Sequence, residues 1–264
     1  MTQTDKDNSA PGFANHPGYR LELIPCAKRI RVKFGGETIV DSTDAALLFE
    51  SSHVPVYYFP WQDFKAELTE KTAHRSHCPF KGDASYWTLN AGGRTAENVV
   101  WGYKTPFDEA HQLGNHVALY WQHMDGWFEE DEEVFGHARD PHVRLDILNS
   151  TRPVRVEIGG QVVAESSRAR FLFETGVAPR HYVPREDVRL DLLVPSEQRT
   201  VCPYKGEAQY FSYSDGRKSI DNIAWSYPSP LPEAAPIADH ICFHKRHADG
   251  IYVDGVRQEA PSSD

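Results

Sequence analysis

Two five-residue segments carry most of the reactive chemistry in this chain: Cys78-Pro79-Phe80-Lys81-Gly82 and Cys202-Pro203-Tyr204-Lys205-Gly206. A thiolate is the nucleophilic form of cysteine, and an ammonium three residues on favours that charge. Proline cannot donate to a central β-ladder and glycine permits unusual φ, so each segment reads as the irregular mouth of a site. The plainer alternative is a small buried thiol at a strand entry, with the lysine stem running outward. Cys78 and Cys202 are therefore candidate nucleophiles or redox centres. With Lys81 and Lys205 they are also candidate pocket-lining groups.

Further residues recur with the same order and spacing. Asn98, Trp101 and Tyr103 are matched by Asn222, Trp225 and Tyr227. On a strand, Val99, Trp101 and Tyr103 would share one face, opposite Asn98, Val100 and Gly102. Such aromatics form a core face or a flat ligand platform with a polar tip. Tyr58 and Tyr182 extend the aromatic set, and Arg75 and Arg199 stand three residues before each cysteine. Paired with Asp63 and Asp187, these arginines would pin a short helix to the cysteine loop; alternatively they would bind a phosphate or carboxylate. His116/His240 and His123/His247 also recur, either as bases or as hydrogen-bonded strand residues.

The elements that must position these groups come in two copies. Pro17–Asp131 laid on Pro141–Gly255 at a constant offset leaves just under a third of positions identical, with no gap. A repeat of this size means two domains, each large enough to bury its own core. We place them at 17–137 and 138–256, with disordered tails at 1–16 and 257–264. Glu129–Glu133 followed by Gly136 and Pro141 marks the join. Each copy reads as mainly β, about seven strands with one or two short helices, in a small barrel or sandwich. Arg29–Phe34, Gly35-Gly36 and Glu37–Asp41 form a hairpin, repeated around Gly159-Gly160. Pro60–Leu68 starts on proline and spaces Trp61, Phe64 and Leu68 as a helix would.

Composition narrows the class. The chain is 40% hydrophobic and 25% charged, with a net charge of −10 and four cysteines. No apolar run reaches the roughly 18 residues of a membrane helix, and the polar start lacks the order of a signal peptide. A cytoplasmic protein is expected, with no membrane partner. Nucleic acid, which demands a lysine- and arginine-rich surface, is not expected either. His74-Arg-Ser-His77-Cys78 is rich in ligands, but its second copy has Gln198 and Val201, so no metal site is expected. No phosphate-cradling glycine motif occurs, and no cofactor is expected.

Gly159–Ser166, Tyr182–Val188, Arg199–Ala208 and Asn222–Pro230 together resemble the domain-of-unknown-function 427 (DUF427) family. The resemblance covers nearly the whole chain as two tandem copies, the second being closer. It implies a mainly β fold similar to the tent-like architecture of the Mss4 and methionine sulfoxide reductase B type. Relatives of that fold often carry two zinc-binding Cys-x-x-Cys pairs, which this chain lacks. The family is sometimes labelled a nucleotidyltransferase, but no repeated carboxylate pair suited to Mg²⁺ is visible.

Three readings follow. In the first, each domain binds a small molecule between Tyr58, Trp101, Tyr103 and Arg75, Cys78, Lys81, Asn98. The second copy would use Tyr182, Trp225, Tyr227 and Arg199, Cys202, Lys205, Asn222. In the second, Cys78 or Cys202 serves an enzyme. In the third, the paired domains recruit a protein. Two fused copies could replace a homodimer and leave a monomer.

Overall fold

The computed structural model describes residues 8–259. Residues 1–7 and 260–264 of the two expected tails lie outside the described residues. The chain divides into two units between Asp140 and Pro141. Each is mainly β with few short helices.

The first domain has eleven strands: β1 Leu21–Pro25, β2 Ile30–Phe34, β3 Glu37–Ser42, β4 Ala46–Glu50, β5 Val56–Pro60, β6 Thr69–Cys78, β7 Gly82–Ala91, β8 Arg94–Tyr103, β9 His116–Leu119, β10 Gly126–Glu129 and β11 Glu132–Val134. They form a seven-stranded sheet, β1-β4-β5-β9-β8-β7-β6, and a four-stranded sheet, β11-β10-β2-β3. The second domain repeats both sheets with β12 Leu145–Asn149, β13 Val154–Ile158, β14 Gln161–Ser166, β15 Arg170–Glu174, β16 Val177–Pro184, β17 Leu193–Cys202, β18 Gly206–Ser214, β19 Ser219–Ser226, β20 His240–Phe243, β21 Gly250–Val253 and β22 Val256–Arg257. No helix among the described residues is long and apolar enough to cross a membrane.

The larger sheet is buried on both faces, so its central strands are continuously apolar rather than alternating. Leu47, Phe49, Tyr57 and Phe59 pack with Val32 and Trp127 of the smaller sheet. Leu48, Tyr58, Tyr103 and Ala118 pack on the opposite face with Ala110 and Leu113 of a 3₁₀ segment, Asp108–Asn115. Leu172, Tyr182, Tyr227 and Cys242 repeat this second core.

The glycine hairpin forms as its sequence predicts. Gly35 and Gly36 take φ of 60° and 77°, the handedness that a two-residue turn between twisted strands requires. The Gly36 amide donates to Asp125 at 3.1 Å, and Gly160 to Asp249 at 2.8 Å, which accounts for the recurring Asp-Gly.

Elsewhere tertiary contacts override local propensity. Over Pro60–Leu68 there are two 3₁₀ turns, Trp61–Asp63 and Ala66–Leu68, instead of one helix. Phe64 between them is extended because it bridges to Val40, and the Lys65 amide donates to Ile39 at 3.0 Å. Asp63 accepts a hydrogen bond from Ser42 at 2.6 Å, and Asp187 from Ser166 at 2.6 Å. The expected Asp–Arg pairs are not formed.

Residues 8–16, expected as part of a tail, include a short helix, Pro11–Asn15, seated on the first cysteine loop. The Gly12 amide donates to the Pro79 carbonyl at 2.9 Å, and Phe13 meets the edge of Phe80 at 5.2 Å.

Candidate functional site

The cysteine segment is the tight turn between β6 and β7. Cys78 pairs with Gly82 at the end of the ladder, and the Lys81 amide donates to the Cys78 carbonyl at 3.3 Å. Pro79 occupies the turn position its fixed φ suits, and Gly82 takes φ of 95°, which a side chain would resist. Cys202–Gly206 repeats the turn between β17 and β18.

The lysine of this turn reaches inward, unlike the outward stem of the plainer alternative. Lys81 Nζ meets the Glu50 carboxylate, and Lys205 Nζ lies 2.6 and 2.7 Å from the two oxygens of Glu174. Both lysines are buried, so each cation is matched by a carboxylate where water cannot screen it. Tyr19 also donates to Glu50, at 3.0 Å. Lys81 and Lys205 are thus committed to glutamates rather than left to activate a thiolate. Among the described residues no base is hydrogen-bonded to Cys78 Sγ.

The aromatics converge beside this turn. Trp101 Nε1 donates to the Tyr58 hydroxyl at 3.2 Å with the rings edge-on, and Trp225 and Tyr182 reproduce both features. Tyr58 and Tyr182 are buried beneath the tryptophans. Burial holds the phenols of Tyr58, Tyr103, Tyr182 and Tyr227 protonated far above the ordinary tyrosine range.

Arg75 and Asn98 are not brought to this group. Arg75 Nη1 donates to the carbonyls of Thr72 and His74, at 2.9 and 2.6 Å. These contacts staple a bulge in β6 between Lys71 and Arg75. Arg199 does the same for Ser196 and Gln198. Asn98 and Asn222 take positive φ, 56° and 52°, a region asparagine tolerates better than most residues. Their Oδ1 atoms accept hydrogen bonds from Thr72 at 2.6 Å and Ser196 at 2.5 Å. The kink at Asn98 breaks the alternation of β8. Val99 therefore joins Val100 in the core between the sheets, while Trp101 and Tyr103 turn to the other face.

Beside the first turn lies a cleft of about 660 Å³. It fills a fork in the large sheet. β5 and β9 pair only at Phe59–Val117 and Pro60–His116, then part. Val56 and Tyr57 line one side of the fork, and Leu119 and Tyr120 line the other. Trp101 and Tyr103 also line the cleft, as do Cys78 and the paired Lys81 and Glu50. Tyr120 packs 4.4 Å from Trp101, and Trp121 stacks on Trp127 at 4.4 Å. Glu50, Tyr57 and Tyr120 were not singled out from sequence. Glu50 had a signal, because Phe49-Glu50 recurs as Phe173-Glu174. Tyr57 and Tyr120 had none, being His181 and His244 in the second copy.

The histidines make separate contacts. His240 Nδ1 lies 2.7 Å from the Ala238 carbonyl, whereas His116 Nδ1 is buried without a partner. His123 packs 6.2 Å from Tyr120, and His247 packs 5.9 Å from His244. His77 pairs with Asp83 at 2.6 Å and His74 packs on Tyr86. Among the described residues no three His, Cys, Asp or Glu side chains form a metal-holding group.

A tandem β protein, with a matched turn, ion pair and aromatic set in each domain, is the class this architecture defines. The sequence profile of the family described as "Domain of unknown function (DUF427)" matches residues 22–130 and again 146–254, and the chain belongs to that family as two tandem copies. A comparison with curated proteins found no match.

Proposed function

We propose that this is a small-molecule-binding protein, with a ligand site at the sheet fork of each domain. In the first domain the ligand is a largely apolar ring-bearing molecule, seated on Trp101, Tyr103 and Tyr120. A polar group on it faces Cys78 and the Lys81–Glu50 pair. The observation that supports this reading is the 660 Å³ cleft, with a mainly apolar lining that includes a few polar groups, Cys78, Lys81 and Glu50 among them. Ligand sites typically occupy about 300–1,000 Å³ and have this character. The buried ion pair is neutral overall, so a charged ligand gains little there.

The test is thermal melting of the full chain against neutral aromatic probes such as 1-naphthol, alongside the variant Val56→Arg. A probe at about 100 times its Kd adds roughly 2.7 kcal/mol to the domain that binds it, a shift of several degrees. The shift should disappear in Val56→Arg. No shift with any neutral probe, or an undiminished shift in the variant, removes this reading.

A further inference from the structure

The second domain forks at the same place, with different chemistry. β16 and β20 pair only at Val183–Ile241 and Pro184–His240. At the fork positions, Val56, Tyr57, Tyr120, Trp121 and Gln122 of the first domain become Arg180, His181, His244, Lys245 and Arg246. Five neutral residues become five basic or imidazole side chains, in a chain of net charge −10.

The placement of these groups is specific. Arg180 lies over the Trp225 ring, 5.6 Å from its centre, and His244 packs 4.5 Å from the same ring. Arg180 and Lys245 are both half-buried, and neither has a carboxylate partner among the described residues. The nearby acid, Glu174, is taken by Lys205, and Arg152 is paired with Asp254 at 2.6 Å. Two uncompensated cations held partly out of water repel each other, and a fold tolerates that cost most readily where an anion relieves it. Their mutual influence is visible in Lys245, whose ammonium is held below the usual lysine range by burial and then by Arg180.

We infer that the second domain's fork is an oxyanion site. Arg180 and Lys245 would hold the phosphate or carboxylate group of a small ligand, whose body packs along Trp225 and His244. A guanidinium offers planar paired donors and an ammonium a point charge, and the two together suit either oxyanion. This inference rests on the fork being a ligand site, but on side chains that the first domain lacks.

Isothermal titration of the full chain with inorganic phosphate, phenyl phosphate and benzoate tests it. At least one oxyanion should bind saturably, and phenyl phosphate should exceed inorganic phosphate if the ring contributes. Preference for benzoate over phenyl phosphate would identify the carboxylate class. Arg180→Gln and Lys245→Gln should each weaken binding roughly tenfold or more. Without ligand, both variants should melt no lower than the wild type, because one of two repelling charges is gone. No saturable oxyanion binding, or unchanged affinity in a folded variant, overturns the proposal. If Arg180→Gln fails to fold, Lys245→Gln decides alone. Oxyanion binding without any 1-naphthol effect leaves this site standing and removes the first-domain reading; the converse result removes this site only.

Discussion

Lys205 Nζ sits within 2.7 Å of both carboxylate oxygens of Glu174, and Lys81 makes the equivalent contact with Glu50 in the first domain. Each pair joins the cysteine turn to the end of a strand that is not adjacent to it in the large sheet, β15 or β4. Removing one partner leaves an uncompensated buried charge, at a cost of about 3–5 kcal/mol, whereas removing both leaves none. Lys205→Met should therefore destabilise strongly, and Lys205→Met/Glu174→Leu should recover most of the loss. A double-mutant cycle by urea unfolding checks this. Additive losses would mean that the pair does not act as a unit.

Asn222 has its own energetic role. A residue with a Cβ pays about 1–2 kcal/mol to hold the left-handed conformation, and glycine pays far less. Ser196 additionally donates to its side chain. Asn222→Ala should cost roughly 2 kcal/mol or more, and Asn222→Gly clearly less, by chemical denaturation. Equal losses would show that the hydrogen bond alone, not the backbone, selects asparagine.

Much of this arrangement was legible in the residues, and the exceptions share a cause. Gly35-Gly36 and Asp125 were readable because a two-residue turn leaves a local signature. The Cys-Pro turn was readable as irregular for the same reason. Strand β6, in contrast, reads Thr-Glu-Lys-Thr-Ala-His-Arg-Ser-His-Cys and is almost wholly polar. It lies at the sheet edge, where neither face is deeply buried, so no alternation marks it. With such short and edge strands unmarked, about seven strands were expected in each domain where eleven exist. Arg75 and Asn98 hold bulges, which have no fixed sequence pattern, so their spacing does not announce that role. The fork itself depends on where β5 and β9 stop pairing. That is a long-range property which no window of sequence contains.

His181 supplies a pH dependence whose sign can be stated. Burial, followed by the charges of Lys245, Arg152 and Arg180, lowers its imidazole to about 4 from the ordinary 6.5. Between these values the unfolded chain binds the proton and the folded chain does not. Unfolding free energy therefore rises with pH across this window and falls as pH drops from about 6.5 toward 4. The loss from this one residue amounts to roughly 3 kcal/mol at the acid end. Urea midpoints of wild type and His181→Gln, compared from pH 4 to 7, should differ in slope, with the variant flatter. Parallel curves would show that His181 titrates normally in the fold.

The thiols should separate by position. Cys242 is 2% exposed between Tyr182 and Trp225, and burial pushes its thiol up to about 12, so it is neither accessible nor ionised near neutrality. Cys78 is half-buried and lines the first cleft. Iodoacetamide should modify Cys78 in the folded chain and reach Cys242 only on unfolding, as read by peptide mass spectrometry. A neutral ring seated in the first cleft should slow modification of Cys78 and leave Cys202, in the other domain, unchanged. Protection of both cysteines by one neutral probe would mean that the two forks do not discriminate between ligands. The replacement of Val56 and Trp121 by Arg180 and Lys245 would then carry no consequence for binding.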